Sequence, residues 1–192
     1  MPETKAYSVD DLKRLRDLTG TGMMDCRKAL EDSGGDVDRA VALLRERGIA
    51  TAAKRSERET GNGVVEAYLH RTSEDYPPQV GAMVELNCES DFVAKGTDFR
   101  ALARELAIHI AGRAPRWVSR DQVPDQAVQE WREVHQIADG EVETFYHENV
   151  LLEQGFVRDP AVSVAELIAQ TGAKVQENIT VRRFSRFSIK EA

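Results

Sequence analysis

Two cysteines and four histidines are the side chains of this 192-residue sequence best suited to act as nucleophile, base or soft metal ligand. Cys26 and Cys88 stand far apart and belong to no paired motif, and His70, His109, His135 and His147 show no metal-ligand spacing. A catalytic reading needs a nucleophile, a base and an orienting group, and little here converges on one; an enzyme using Cys88 and His70 is the weakest reading the residues allow. His109 falls between Leu106 and Ile110 in a helical pattern and is expected to be a satisfied, partly buried core histidine. The glycine pairs Gly20/Gly22 and Gly61/Gly63 lack the third glycine, the Lys-Ser/Thr and the preceding strand of a phosphate-binding loop.

Recognition of another molecule is the better-supported chemistry. Val80, Ala82, Val84, Leu86 and Cys88 occupy every second position, so a strand would turn them all to one face and Met83, Glu85 and Asn87 to the other. The alternation then stops at Cys88-Glu89-Ser90-Asp91-Phe92-Val93-Ala94-Lys95. An acid beside a large aromatic, in a short joint ahead of a helix, answers to neither the strand nor the helix period. Asp91 and Phe92 are therefore candidates for contact with something outside the chain.

The elements that must carry this joint fall into two units. Three short helices are expected over residues 1–53. Ser8 with Asp11 resembles a capping box ahead of a Leu12, Leu15, Leu18 stripe ended by Thr19-Gly20. Thr21 is expected to cap a second helix burying Met23, Cys26, Ala29 and Leu30 and closing at Gly34-Gly35, and Asp36 to cap a third through Val37, Ala40, Val41 and Leu44. The outer face of the second helix carries Met24, Arg27, Lys28 and Glu31, which suits either a contact surface or a solvated charged face. Residues 54–62 are charged and poor in apolar side chains, and read as a linker or a solvated helical extension.

Residues 63–192 read as an α+β core. A strand from Gly63 to His70 divides Val65, Ala67 and Leu69 from Glu66, Tyr68 and His70, and should pair with the Gln79–Cys88 strand as a long-looped hairpin. His70 reads equally well as an exposed histidine or a contact residue. Phe99, Leu102, Ala103, Leu106 and Ile110 mark a covering helix, while Val128, Trp131, Val134 and Ile137 are spaced for burial until Asp139-Gly140 interrupts them. Ser163 and Glu166 form a second capping box for a helix with Val164, Leu167, Ile168 and Thr171 inward, ending near Gly172. A last strand from Asn178 to Ile189 completes an antiparallel sheet of about three strands.

Composition excludes several classes. Hydrophobic content of 41% and charged content of 31% are those of an ordinary globular protein. No apolar run approaches the roughly 20 residues that span a bilayer. The first residues lack a basic region followed by an apolar stretch, so a cytoplasmic location is expected, with no membrane partner. The net charge of −7 argues against direct nucleic-acid binding. Arg182, Arg183 and Arg186 are the best case for it, but alternation divides them between two faces. No cofactor is called for, and the natural partner is another protein.

Long ordered strings then narrow the family. Leu18-Thr19-Gly20-Thr21-Gly22-Met23-Met24-Asp25-Cys26-Arg27-Lys28-Ala29-Leu30, with Gly35-Asp36 and Ala40, resembles the N-terminal signature of the translation elongation factor Ts family. The run from Val84 to Lys95 resembles its second signature. Leu151-Leu152-Glu153-Gln154 with Phe156-Val157, and Glu177-Asn178-Ile179 with Val181-Arg182-Arg183-Phe184, extend the likeness toward the C-terminus. The resemblance implies a ubiquitin-associated-like three-helix domain, a linker and an α+β core. It implies guanine nucleotide exchange on elongation factor Tu, with Ser90, Asp91, Phe92 and Val93 dislocating the partner's magnesium ion. It further implies that Met23, Met24, Arg27 and Lys28 of the helical domain, and His70 of the core, contact that partner. Ser90 stands where the family most often has threonine, Gly155 where proline is usual, and the segment between Arg132 and Tyr146 is short. The chain has room for one core, like the short forms in which two cores are expected to pair as a homodimer. The competing reading is an adaptor that tethers some other protein through its N-terminal helices.

Overall fold

The computed structural model describes residues 7–135 and 142–189. The reciprocal cap expected at Ser8 is present: the Asp11 amide donates to Ser8 Oγ at 3.1 Å and the Ser8 amide to the Asp11 carboxylate at 2.9 Å. It starts α1 (Val9–Thr19), and Gly20, at φ 64°, ends it in the left-handed conformation that glycine adopts without a steric cost. Then come α2 (Met23–Asp32) and α3 (Val37–Arg55), the latter capped by Asp36, whose Oδ1 accepts from the Arg39 amide at 3.0 Å. Leu15, Cys26, Ala29, Leu30, Ala40 and Leu44 close a small core among the three helices.

Two expectations for this unit are corrected. Thr21 does not cap α2; Gly22 holds the cap position without a side-chain bond, and the Thr21 hydroxyl turns back to the Thr19 carbonyl. Leu18 and Met23 stay outside the core, because they flank the turn between α1 and α2, where the chain leaves the packed faces of both helices. Of the two readings of residues 54–62, the helical extension holds for the first two residues. Helix α3 runs on through Lys54 and Arg55, and Arg55 Nη1 donates to the Gly172 carbonyl at 3.3 Å.

The remainder runs β1 (Asn62–His70), β2 (Val80–Cys88), α4 (Asp91–Ala94), α5 (Thr97–Arg113), α6 (Asp125–His135), α7 (Val142–Asn149), β3 (Gly155–Phe156), β4 (Asp159–Ser163), α8 (Val164–Val175) and β5 (Ile179–Ser188). The class is α+β. One antiparallel sheet has the order β1-β2-β5, with β2 in the centre. Its alternation holds as read: Ala82, Val84, Leu86 and Cys88 are buried against α5, whose Phe99, Leu102, Ala103, Leu106 and Ile110 are buried in turn. Strand β1 contributes Val64 and Tyr68 to this face, so Val65, Ala67 and Leu69 look outward. Gly63 lies where β1 passes close to β2, since a Cβ there would sit 2.3 Å from the Leu86 carbonyl oxygen.

The spacing of Val128, Trp131 and Val134 overstates burial. No residue of α6 is buried, and Val134 is exposed. Helix α6 meets α7 where Trp131 packs edge-on against the buried Phe145 at 5.5 Å. Ile137, Asp139 and Gly140 lie outside the described residues. The capping box of α8 is present, but Gly172 does not end the helix, which continues to Val175 and stops at Gln176 with φ 61°. Gly172 serves close approach instead: a Cβ there would meet the Glu177 carbonyl at 2.9 Å.

His109 is more deeply enclosed than its partial burial in the sequence reading, and fully paired. The Val157 amide can only donate, so Nδ1 accepts it at 3.1 Å and the proton resides on Nε2, 2.9 Å from Gln154 Oε1. Gln154 Nε2 donates onward to the Glu148 carbonyl at 2.7 Å and the Arg113 carbonyl at 3.4 Å. One buried amide thus ties α5 to the end of α7 and the turn into β3. Burial holds the His109 imidazole below its ordinary value of 6.5, against the Gln154 bond, which acts to raise it. The unfolded chain therefore binds this proton at higher pH than the folded chain. The contribution to stability is complete above about pH 6.5, and it is lost as pH falls from there through the lowered folded value. Urea midpoints of the native chain are expected to drop more steeply between about pH 7.5 and about pH 5 than those of His109→Gln. Equal slopes would remove His109 as the source.

Candidate functional site

Strand β2 ends at Cys88 because the next residues turn their backbone to other partners. Ser90 takes an extended conformation and caps α4, its Oγ accepting from the Val93 amide at 3.3 Å. The joint read from the sequence is thus one helical turn. Val93 and Ala94 are its buried root, while Asp91 and Phe92 face out. Phe92 is 83% exposed, the most exposed large apolar side chain among the described residues. Asp91 pairs with Lys95 one turn on, at 2.7 Å, and the bond to that ammonium holds its carboxyl below the usual range. Within the chain, Ser90 and Val93 hold the turn that presents Asp91 and Phe92.

A pair of exchanged carboxylates secures the base of the turn. Glu177 Oε2 accepts the backbone amides of Glu89 and Ser90, both at 3.1 Å, and Oε1 accepts the Ser90 hydroxyl at 2.6 Å. Glu89 reciprocates, its Oε1 accepting the Asn178 amide at 2.6 Å and pairing with Arg58 at 3.3 Å. Asn178 Nδ2 reaches the carbonyls of Arg58 at 2.9 Å and Ser56 at 3.4 Å, and Asn62 Nδ2 reaches the Glu89 carbonyl at 2.8 Å. Hydrogen bonds to an ionised acceptor contribute about 1.5 to 3 kcal/mol each, so this cluster outweighs any surface ion pair nearby. Sequence reasoning missed Glu177, Glu89 and Asn178 as site residues. The Ser90-to-Val93 cap was the only local signal, since the clamp joins positions 88 apart.

Beside Phe92 lies a groove of about 610 Å³ lined by Lys95, Asp98, Phe99, Lys174 and Val175. Lys174 pairs with Asp98 at 2.6 Å, and a Cβ on Gly20 would lie 3.5 Å from its side chain, so the α1–α2 turn approaches this same side. Met23 and Met24 are exposed on α2. Arg27 pairs with Glu31 at 2.9 Å, and Lys28 lines a crevice with Asp25, Arg47 and Gln176 just past α8. Through α8 the structure brings Lys28 and the α1–α2 turn toward the Phe92 side.

His70 is not brought there. Register places it opposite Val80, whereas Asn62 is opposite Cys88, so His70 sits at the far end of the sheet, roughly 26 Å along the strand at about 3.3 Å per residue. Its Nδ1 lies 3.0 Å from the Tyr68 hydroxyl. The same distance separates it from Cys88, whose buried thiol donates to the Ser90 carbonyl at 3.2 Å and is pushed up in pKa by burial and then by Glu177. Cys88 and His70 therefore cannot form a nucleophile and base pair. Arg182 and Arg183 both face Glu85, at 3.6 and 2.7 Å, while Arg186 donates inward to the Ala111 carbonyl near the end of α5. They form no common cationic face. Among the described residues no group of three or more His, Cys, Asp and Glu side chains could hold a metal ion, and no helix is long and apolar enough to cross a membrane.

Known proteins share this arrangement of sequence over nearly its full length. The family model described as Elongation factor TS matches residues 36–191. The elongation factor Ts of Herpetosiphon aurantiacus is 46% identical, covering 96% of this chain and 98% of its own. That of Frankia alni is 45% identical, covering 95% and 97%, and that of Thermosipho melanesiensis 40%, covering 94% and 97%. Identity at this level across almost every element described above means that the chain belongs to the elongation factor Ts family.

Proposed function

We propose that this chain is a guanine nucleotide exchange factor for elongation factor Tu, acting by insertion of the Asp91-Phe92 turn. The observation that carries the reading is a phenylalanine 83% exposed on a turn whose backbone is clamped. An apolar ring held out in water by a rigid base is already arranged for burial in a partner, so little ordering cost remains at binding. The helical unit, residues 1–53, docks on the nucleotide domain of Tu through Met23, Met24, Arg27 and Lys28. The linker, 54–62, joins it to the exchange core, 63–192. His70 serves a separate contact, at the other end of the sheet.

The chemistry is linkage rather than covalent catalysis. A factor that binds empty Tu more tightly than GDP-bound Tu weakens GDP binding by the same ratio. A shift of about 10⁴ requires roughly 5.5 kcal/mol of differential binding. Burial of one phenylalanine provides about 1.5 to 3 kcal/mol. Phe92 therefore opens the magnesium site, with Asp91 beside it, and rearrangement around the released ion provides the remainder.

The uncovered sheet face supports pairing of two copies. Val65, Leu69, Met83, Phe187 and Ile189 are all exposed there, around a shallow groove of about 440 Å³. Apolar side chains on one face of a three-stranded sheet, with α5 covering the other, suit an isologous contact with the same face of a second chain. Substituting Phe187→Asp is expected to shift the chain to monomer by light scattering, without unfolding it. A native chain that is itself monomeric at tens of micromolar would remove this reading.

Phe92→Ala is expected to lower the rate of fluorescent GDP release from Tu by about tenfold to 100-fold, the equivalent of the apolar burial above. Its melting temperature should match the native chain, because the ring is 83% exposed. Unchanged release would end the insertion mechanism.

A further inference from the structure

We propose that Glu177 is a positioning residue for exchange, setting the angle of the Phe92 turn relative to α8 and the helical unit. The inference rests on the exchange reading above. Three donors converge on its carboxylate, the amides of Glu89 and Ser90 and the Ser90 hydroxyl. The same Ser90 oxygen then accepts the Val93 amide at 3.3 Å, so the bond from Glu177 orients the very atom that caps α4. Hydroxyl donation toward Glu177 leaves the lone pairs of Ser90 free for Val93, and the two bonds support one another.

The clamp also has two anchors outside the turn. Glu177 follows directly on Gln176, the left-handed residue that ends α8, so the last turn of that helix sets where the carboxylate stands. Helix α8 is in turn packed against α3 and bonded to it through Arg55 and the Gly172 carbonyl. From the other side, Asn178 holds the carbonyls of Ser56 and Arg58, and Arg58 holds Glu89. A chain of direct bonds thus runs from α3 through residues 56–58 and 177–178 to the base of α4. Two contact surfaces meeting one partner must keep a constant spacing, and this chain of bonds is what sets it.

Glu177→Gln keeps the shape of the clamp and removes its charge. In Glu177→Gln the remaining carbonyl oxygen still accepts both amides, and the amide nitrogen donates to Ser90 Oγ. Glu177→Ala removes every acceptor and leaves two backbone amides and the hydroxyl without their partner.

The test combines exchange kinetics with amide hydrogen exchange on the full chain. Expected are lost protection at the Glu89, Ser90 and Val93 amides in Glu177→Ala, retained protection in Glu177→Gln, and a maximal GDP release rate lowered by up to about 100-fold in the former only. The concentration of factor at half-maximal rate should move little, because the helical unit still docks. A Phe92→Ala, Glu177→Ala double variant should release GDP no more slowly than Phe92→Ala alone, since a misplaced ring that is absent costs nothing further. A merely structural role predicts additive losses and overturns the proposal. So does a Glu177→Ala chain with native release. If instead the native chain does not accelerate release at all, the exchange reading fails, while the amide protections still decide whether Glu177 holds the turn.

Discussion

The exchange of carboxylates between the end of β2 and the start of β5 is the constraint on which the rest of the molecule depends. Glu177 accepts backbone amides of the β2 end, and Glu89 accepts the amide of Asn178 just ahead of β5. Each strand terminus leaves N–H groups with no ladder partner, and each is satisfied by an acid from the other. Because the two segments are neighbours only in the folded sheet, the clamp forms only once β2 and β5 have paired in register. It then fixes three directions at once: where β2 stops, where α8 delivers the chain into β5, and where Phe92 points.

The sheet shows why such a clamp is needed. Its inner face is conventional, with Val84, Leu86 and Cys88 under α5. Its outer face carries Val65, Leu69, Met83 and Phe187 into solvent. Apolar residues on both faces of β1 and β2 mean that hydrophobicity alone specifies register weakly, since a slip of one residue would still bury apolar side chains. Directional bonds at the sheet end, together with the Gly63 approach to Leu86 and the bulge between Glu85 and Leu86 opposite β5, remove that ambiguity.

Much of the fold was legible where the signal is local. The caps at Ser8, Asp36 and Ser163 stand where they were read, because a cap is a bond between residues three apart. The β2 alternation and the α5 stripe were read correctly, because a continuous core selects strict periods. Reading failed where a period has no second element to bury it. Val134 follows the helical spacing of α6 yet stays in water, because α7 meets that helix on the side of Trp131. Gly172 looked like a helix stop, and what it accommodates is the carbonyl of Glu177. The short pair β3 and β4 left no alternation long enough to see.

For the site, the sequence by itself determined which residues would be out of place in a core, Asp91 and Phe92, and through its long signature strings the family to which the chain belongs. These are properties of composition and order along the chain. Tertiary structure decided the rest: that Val93 is buried at the root of the turn, that His70 lies at the far end of the sheet from Phe92, and that Glu177 reaches back to hold Ser90. The reason is range. Periods and caps act over a few residues, whereas register and a clamp between residues 88 apart exist only when distant strands have been brought side by side.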